Sequence, residues 1–169
     1  MSTETATSQD RPPGLYFEEF EAGAELVTPG RTITETDIQL FAGLTGDYTQ
    51  LHTDAEFSKN TVFGQRVAHG LLGLSIASGL AARLGFIEGT AVALREVTWK
   101  FTGPIFIGDT IHLVVKVGEK KAMTRLGMGL ITFDVSLLSQ KDEVLQKGQW
   151  KALIQSQEAE TSPLLRQDK

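Results

Sequence analysis

Apolar positions along this chain follow two different rhythms, and the change between them divides it into a helical first half and an extended second half. Ile38, Phe41 and Leu44 recur every three residues, so they can share one helix face. Thr34 stands where a helix cap is needed, Asp37 follows three residues later as in a capping box, and Gly46 would end the helix. Asp54-Ala-Glu-Phe-Ser reads as another short helical turn, capped by Asp54. Gly70 to Leu84 is the one long helix expected, with Gly85 as its stop. Its Leu, Ile and Ala residues lie on every side, Gly73, Ser75, Ser78 and Gly79 are small, and no charge appears before Arg83. A helix apolar all round is expected to be buried.

After Gly85 the rhythm becomes that of strands. Ala91–Phe101, Thr110–Val117, Arg125–Leu138 and Val144–Ile154 are rich in β-formers and bounded by Gly, Lys or Asp turns. Consecutive strands with short connections favour an antiparallel sheet. One buried helix and a long antiparallel sheet make an α+β domain, expected over residues 15–155. Residues 1–14, rich in Ser, Thr and Pro, and 156–169, rich in Gln and Glu, are expected to be loose ends.

Composition narrows the function classes. The 169 residues suit one domain with a real core, and 41% hydrophobic with 22% charged residues is the ordinary globular balance. Sixteen basic and 21 acidic side chains give a net charge of -5, which offers no general attraction to nucleic acid or anionic lipid. There is no cysteine, so disulfides, thiolate nucleophiles and Cys-based metal sites are excluded. No apolar run approaches the roughly 20 residues of a membrane span. The polar N-terminus is unlike a signal peptide, and a cytoplasmic location is expected.

The densest polar cluster is Leu44-Thr-Gly-Asp-Tyr-Thr-Gln-Leu-His-Thr-Asp54, expected as a loop between short helices. Asp47 and His52 lie five residues apart. A carboxylate and an imidazole that converge on one water can share its protons, and imidazole titrates near working pH. Read alone, an Asp after Gly such as Asp47 is usually a turn or cap residue, and a lone loop His such as His52 is usually just solvated. Further on, His69-Gly70 opens the long helix. The first N–H groups of a helix lack internal partners and can hold an oxyanion, and glycine lets a carbonyl approach the backbone. Read alone, however, Gly70 is a cap glycine, with His69 filling space or hydrogen-bonding beside it. Ser78 could bond back to its own helix or support Asp47. His112 reads as structural or surface. His-Glu-x-x-His, phosphate-loop, dinucleotide and Gly-x-Ser-x-Gly patterns are absent.

Together these stretches resemble the MaoC-like, (R)-specific enoyl-CoA hydratase family, from about Phe17 to Leu153. The resemblance is carried by four elements in order: Phe41 to Asp54, Arg66-Val-Ala-His-Gly-Leu-Leu72, Ser78-Gly79-Leu80, and Pro104-Ile-Phe-Ile-Gly-Asp109. It implies a hot-dog fold, a sheet wrapped round one central helix, built in the family as dimers or double hot dogs, so that with one hot dog per chain a homodimer or higher homo-oligomer is expected. It implies reversible syn hydration of a trans-2-enoyl-CoA to a (3R)-3-hydroxyacyl-CoA, with no metal or redox cofactor, CoA being part of the substrate. By the same resemblance Asp47 and His52 are the catalytic pair, Gly70 supplies the N–H for the thioester oxygen, and Ser78 supports the site. The chain departs from the family at Thr49-Gln50, where Asn-Pro is usual. Two rival readings stand beside this one: a hot-dog acyl-CoA thioesterase, and a non-catalytic subunit that binds acyl thioesters.

Overall fold

The computed structural model describes residues 11–157, so of the two expected loose ends only 11–14 and 156–157 fall within it. Those few residues are tied down. The Gly14 N–H donates to the Glu88 carbonyl at 2.8 Å, and the Ser156 N–H donates to the Gly127 carbonyl at 3.0 Å. A Cβ at position 14 would stand 2.6 Å from the Glu88 backbone, so this close approach requires glycine.

The first helix, α1, spans Glu35–Thr45, and its capping box forms as expected. The Thr34 hydroxyl accepts from the Asp37 N–H, while the Asp37 carboxylate accepts from the Thr34 N–H at 2.8 Å. Gly46 ends it at φ +77°, in the left-handed region that glycine enters freely. The buried stripe is Ile38 and Ala42, four apart. Leu44, expected on the inner face, is instead 84% exposed. A spacing of three drifts round a helix of 3.6 residues per turn, and after two steps the side chain has left the core.

Two short helices follow, α2 (Gln50–Thr53) and α3 (Ala55–Lys59), with Asp54 capping α3 through the Phe57 N–H at 2.9 Å. The cluster expected as a loop therefore carries His52 on a helical turn. The long helix α4 runs Gly70–Arg83, and Gly85 follows at φ +73°. Its buried residues are Leu72, Gly73, Ile76, Ala77, Leu80 and Ala81. Leu71, Ser75, Ser78 and Gly79 are exposed, so one face is buried by this chain and the other is not.

The sheet has six antiparallel strands: β1 (Glu25–Val27), β2 (Arg31–Thr32), β3 (Ala91–Phe101), β4 (Thr110–Met123), β5 (Met128–Leu138) and β6 (Val144–Gln155). Their order is β1-β4-β5-β6-β3, with β2 also on β4. The strands β1 and β2 were not expected from sequence. The third expected strand, 125–138, starts later because Thr124–Leu126 is a tight turn closed by Gly127 at φ +62°. Ile111, Leu113, Val115 and Val117 of β4 alternate inward beside Ile131, Phe133, Val135 and Leu137 of β5. They form one core with the buried face of α4, each such side chain being worth about 1.5–3 kcal/mol relative to exposure. This is the α+β hot-dog arrangement. No helix among the described residues is long and apolar enough to cross a membrane.

Candidate active site

Two imidazoles and one carboxylate meet where α1, α2 and α4 converge. Asp47 follows the Gly46 stop of α1, His52 rides on α2, and His69 caps the start of α4. Nitrogen and oxygen atoms of the three lie within 4.8 Å of one another. Hydroxyl and main-chain bonds set this geometry. Ser58, fully buried, donates to the Leu51 carbonyl at 3.0 Å and so fixes the end of α2. Thr53 donates its hydroxyl to the Tyr48 and Thr49 carbonyls. The Ala68 N–H donates to the Ile105 carbonyl at 2.8 Å, tying the approach to α4 to the Pro104–Asp109 turn. In that turn Gly108 stands at φ +95° and the Asp109 carboxylate accepts from the Phe106 N–H.

His52 Nδ1 lies 2.8 Å from the Val67 carbonyl oxygen. A carbonyl only accepts, so Nδ1 carries a proton, and in the neutral ring it is Nε2 that presents the lone pair. His69 is 3% exposed and stacks on His52 with ring centres 3.8 Å apart. Its Nε2 donates to the Asp47 main-chain carbonyl at 2.9 Å, while its Nδ1 is buried with no partner among the described residues. The chain around Asp47 is thus held from inside by a residue of another helix. The Asp47 carboxylate is about half exposed, with one oxygen 3.9 Å from His69 Nε2. Its other oxygen accepts from the Thr49 hydroxyl at 2.5 Å and from the Thr49 N–H at 3.2 Å. The hydroxyl first, and then the amide, hold the Asp47 carboxyl below the usual carboxylate range; the two imidazoles add smaller pulls in the same direction.

The three groups do not form a ready metal site. The two rings are stacked with an interplanar angle of only 29°, so their nitrogen lone pairs do not converge on one point. A shared zinc would need both planes to meet about 2 Å from each nitrogen. His69 Nε2 is also occupied by the Asp47 carbonyl.

Beside the pair opens a pocket of about 370 Å³, walled by His52, Phe63, Val67, Gly70, Phe101 and Gln146 among others. That volume suits a small ligand or part of a larger one. Asp47 is not part of this wall, though its carboxylate lies within 4.8 Å of a His52 nitrogen. At the start of α4 the Leu72 and Gly73 N–H groups turn back to the His69 carbonyl, while those of Gly70 and Leu71 have no acceptor among the described residues.

A family model described as "MaoC like domain" matches residues 19–136. The chain belongs to the MaoC-like family. Among its relatives, Protein MaoC of Klebsiella aerogenes is 39% identical over 98 residues, 58% of this chain but only 29% of that longer protein. The (R)-specific enoyl-CoA hydratase of Rhodospirillum rubrum is 37% identical over 114 residues, 64% of this chain and 76% of that one. Among solved structures, the monoamine oxidase regulatory protein from Archaeoglobus fulgius superimposes with a TM-score of 0.79 at 36% identity, covering 85% of this chain and 95% of that chain.

Of the residues singled out from sequence, this MaoC-like chain brings Asp47 and His52 together, with Gly70 on the same pocket as His52. Ser78 is elsewhere. It lies eight residues along α4, about 12 Å from Gly70 at 1.5 Å per residue. Its exposed hydroxyl donates to the Ser75 carbonyl at 2.9 Å, the bond back to its own helix. It faces a separate apolar groove of about 510 Å³ between α4 and β3. His112 pairs at 3.5 Å with Asp142 on a neighbouring turn, away from this cluster. Three participants were not among the expected site residues: His69 under the pair, Thr49 on Asp47, and Gln146 in the pocket wall. Gln146 left a trace in sequence, being a polar residue in step with the inward-facing Trp150, Ala152 and Ile154 of β6.

Proposed function

We propose that the chain is an (R)-specific enoyl-CoA hydratase, or 3-hydroxyacyl-CoA dehydratase in reverse, acting through Asp47 and His52. The observation that carries this reading is the His52 imidazole with a ring nitrogen within 4.8 Å of the Asp47 carboxylate, which Thr49 holds in its ionised form. Two groups at most 4.8 Å apart can each hydrogen-bond one water at about 2.8 Å. The water oxygen adds to C3 of the enoyl group as one of its protons passes to the pair. The C2–C3 π electrons move toward the thioester oxygen, where the Gly70 N–H at the α4 start receives the charge. The same pair then returns a proton to C2 from the same face, giving syn addition. No step calls for a metal or a redox cofactor, and the proposed compartment is the cytoplasm. The named activity of the R. rubrum relative supports the reaction class.

A homodimer is part of the proposal. The strand β3 is the sheet's edge, and Val92, Leu94 and Phe101 on it are 53%, 60% and 54% exposed. With the open face of α4 it borders the apolar groove. An open antiparallel edge is complementary to itself under a twofold axis, so a second copy is the occupant. Ser78 lies on that face, and the supporting role expected of it depends on the assembled form.

The test is a hydration assay on crotonyl-CoA and longer enoyl-CoAs, following loss of enoyl absorbance, with product chirality determined. Release of free thiol without hydration would assign the thioesterase reading instead. Saturable binding of acyl-CoA with no turnover would assign the binding subunit.

A further inference from the structure

Gln146 is a polar side chain only 1% exposed, at the inner start of β6 and opposite Phe101 of β3. Buried polar groups persist when they are hydrogen-bonded, and both ends of this carboxamide are. The Trp99 indole N–H can only donate, and it lies 2.9 Å from Gln146 Oε1. That contact fixes which way the carboxamide faces. Its NH₂ end is left pointing at the Gly70 carbonyl oxygen, 3.1 Å away. The assignment is consistent at both ends, with a pure donor meeting oxygen and a pure acceptor meeting nitrogen.

The surrounding glycines keep this arrangement open. A Cβ at position 73 would stand 2.5 Å from Gln146 Nε2, and a Cβ at position 148 would stand 2.8 Å from the Trp99 ring. A Cβ at position 70 would meet the Phe101 ring at 3.0 Å. Glycine at 70 leaves the backbone with the least intrinsic restraint at the residue proposed to bind the substrate oxygen. The Gln146 bond and the Phe101 ring restore that restraint from outside the helix. A helical carbonyl keeps a second lone pair for such a contact, so the helix itself loses nothing.

We propose that Gln146, oriented by Trp99, is a positioning residue for the amino end of α4: it holds Gly70 so that its N–H faces the thioester oxygen. This rests on the hydratase reading for its kinetic consequence, but its structural content stands apart from it. An oxyanion donor works by being in place before the charge develops, and its removal costs on the order of 100- to 1,000-fold in kcat. Loosening such a donor, rather than deleting it, is expected to cost about 10- to 100-fold.

The experiment compares wild type with Gln146→Met, Gln146→Glu and Gly73→Ala, reading kcat and KM for crotonyl-CoA, the thermal midpoint, and the Gly70 amide resonance in ¹⁵N–¹H spectra. Gln146→Met keeps the shape and removes the donor. Its kcat is expected to fall about 10- to 100-fold with KM changed by less than about threefold. Gln146→Glu restores the donor only in its acid form, so its activity relative to wild type should rise as pH falls. Gly73→Ala displaces the carboxamide without removing it and should lower kcat in the same way. The Gly70 resonance should move in both Gln146→Met and Gly73→Ala. A folded Gln146→Met enzyme with wild-type kcat and an unmoved Gly70 resonance overturns the proposal. If Gln146→Met does not fold, unchanged kcat and an unmoved resonance in Gly73→Ala overturn it equally. If wild type hydrates no enoyl-CoA, the hydratase reading fails, and the Gly70 resonance alone decides whether Gln146 positions this residue.

Discussion

The two sides of α4 are finished in opposite ways. At its amino end, each of three polar side chains is tied to a partner in the same chain: His52 to the Val67 carbonyl, His69 to the Asp47 carbonyl, and Gln146 to both Trp99 and Gly70. Along its outer face, Leu71 is 58% exposed, Ser75 and Ser78 bond back to their own helix, and the groove toward β3 is apolar. A polar network must be closed locally, because each unsatisfied buried group costs about 1–3 kcal/mol. An apolar face can wait for a second copy, because dispersion and burial are not directional. The polar cluster is therefore closed within one chain, while on the proposed reading the apolar face is covered by a second copy.

That division can be broken from either side. The largest effect is expected from Asp47→Asn, which keeps the shape and removes the base. Its kcat for enoyl-CoA hydration should fall on the order of 100- to 10,000-fold, with the sedimentation profile unchanged. A folded variant at wild-type rate would remove Asp47 from the mechanism. Next comes Leu94→Glu on the β3 edge, 60% exposed in one chain. A charge in an apolar interface should weaken self-association by roughly 2 kcal/mol or more, about 30-fold, measured by sedimentation across concentration. Unchanged association would move the interface elsewhere.

A smaller effect is expected from Thr49→Val. The wild-type hydroxyl stabilises ionised Asp47, so base activity is present above the lowered carboxyl pKa and is lost as pH falls through it. Without the hydroxyl that pKa rises, and the acid limb of the kcat profile should move to higher pH. An unmoved limb would mean that Asp47 does not set it. The smallest effect is expected from Arg66→Ala. Its 2.9 Å pair with Glu35 is at the surface, Glu35 being 59% exposed, and thermal unfolding should register less than about 1 kcal/mol.

Local rules made much of this legible before any coordinates. The Thr34–Asp37 box, the Gly46 stop, the Asp54 cap and the Gly70 start of α4 each depend on a few neighbouring residues, and each forms. A run of β-formers bounded by turn residues placed β3 to the residue. What stayed hidden depends on contacts between distant segments. β1 and β2 have three and two residues, too few to show a period. Leu44 has the right residue type for a core and the wrong angle. Asp47 and His52 are neighbours in sequence, so their pairing could be read. His69, 22 residues from Asp47, and Gln146, 76 from Gly70, meet them only through the fold. Ser78 was read on an all-apolar helix taken to be wholly buried, whereas one chain covers only half of it.

The atom that orients His52 is a main-chain oxygen, that of Val67, and Val67 is also one of the residues that line the pocket. Two duties thus meet at one residue but are carried by different parts of it. Mutation can reshape the side chain to admit longer or bulkier acyl groups, while the imidazole keeps its tautomer through a bond that no codon change at position 67 deletes. On the proposed reading, substrate range can drift there without disarming the reaction.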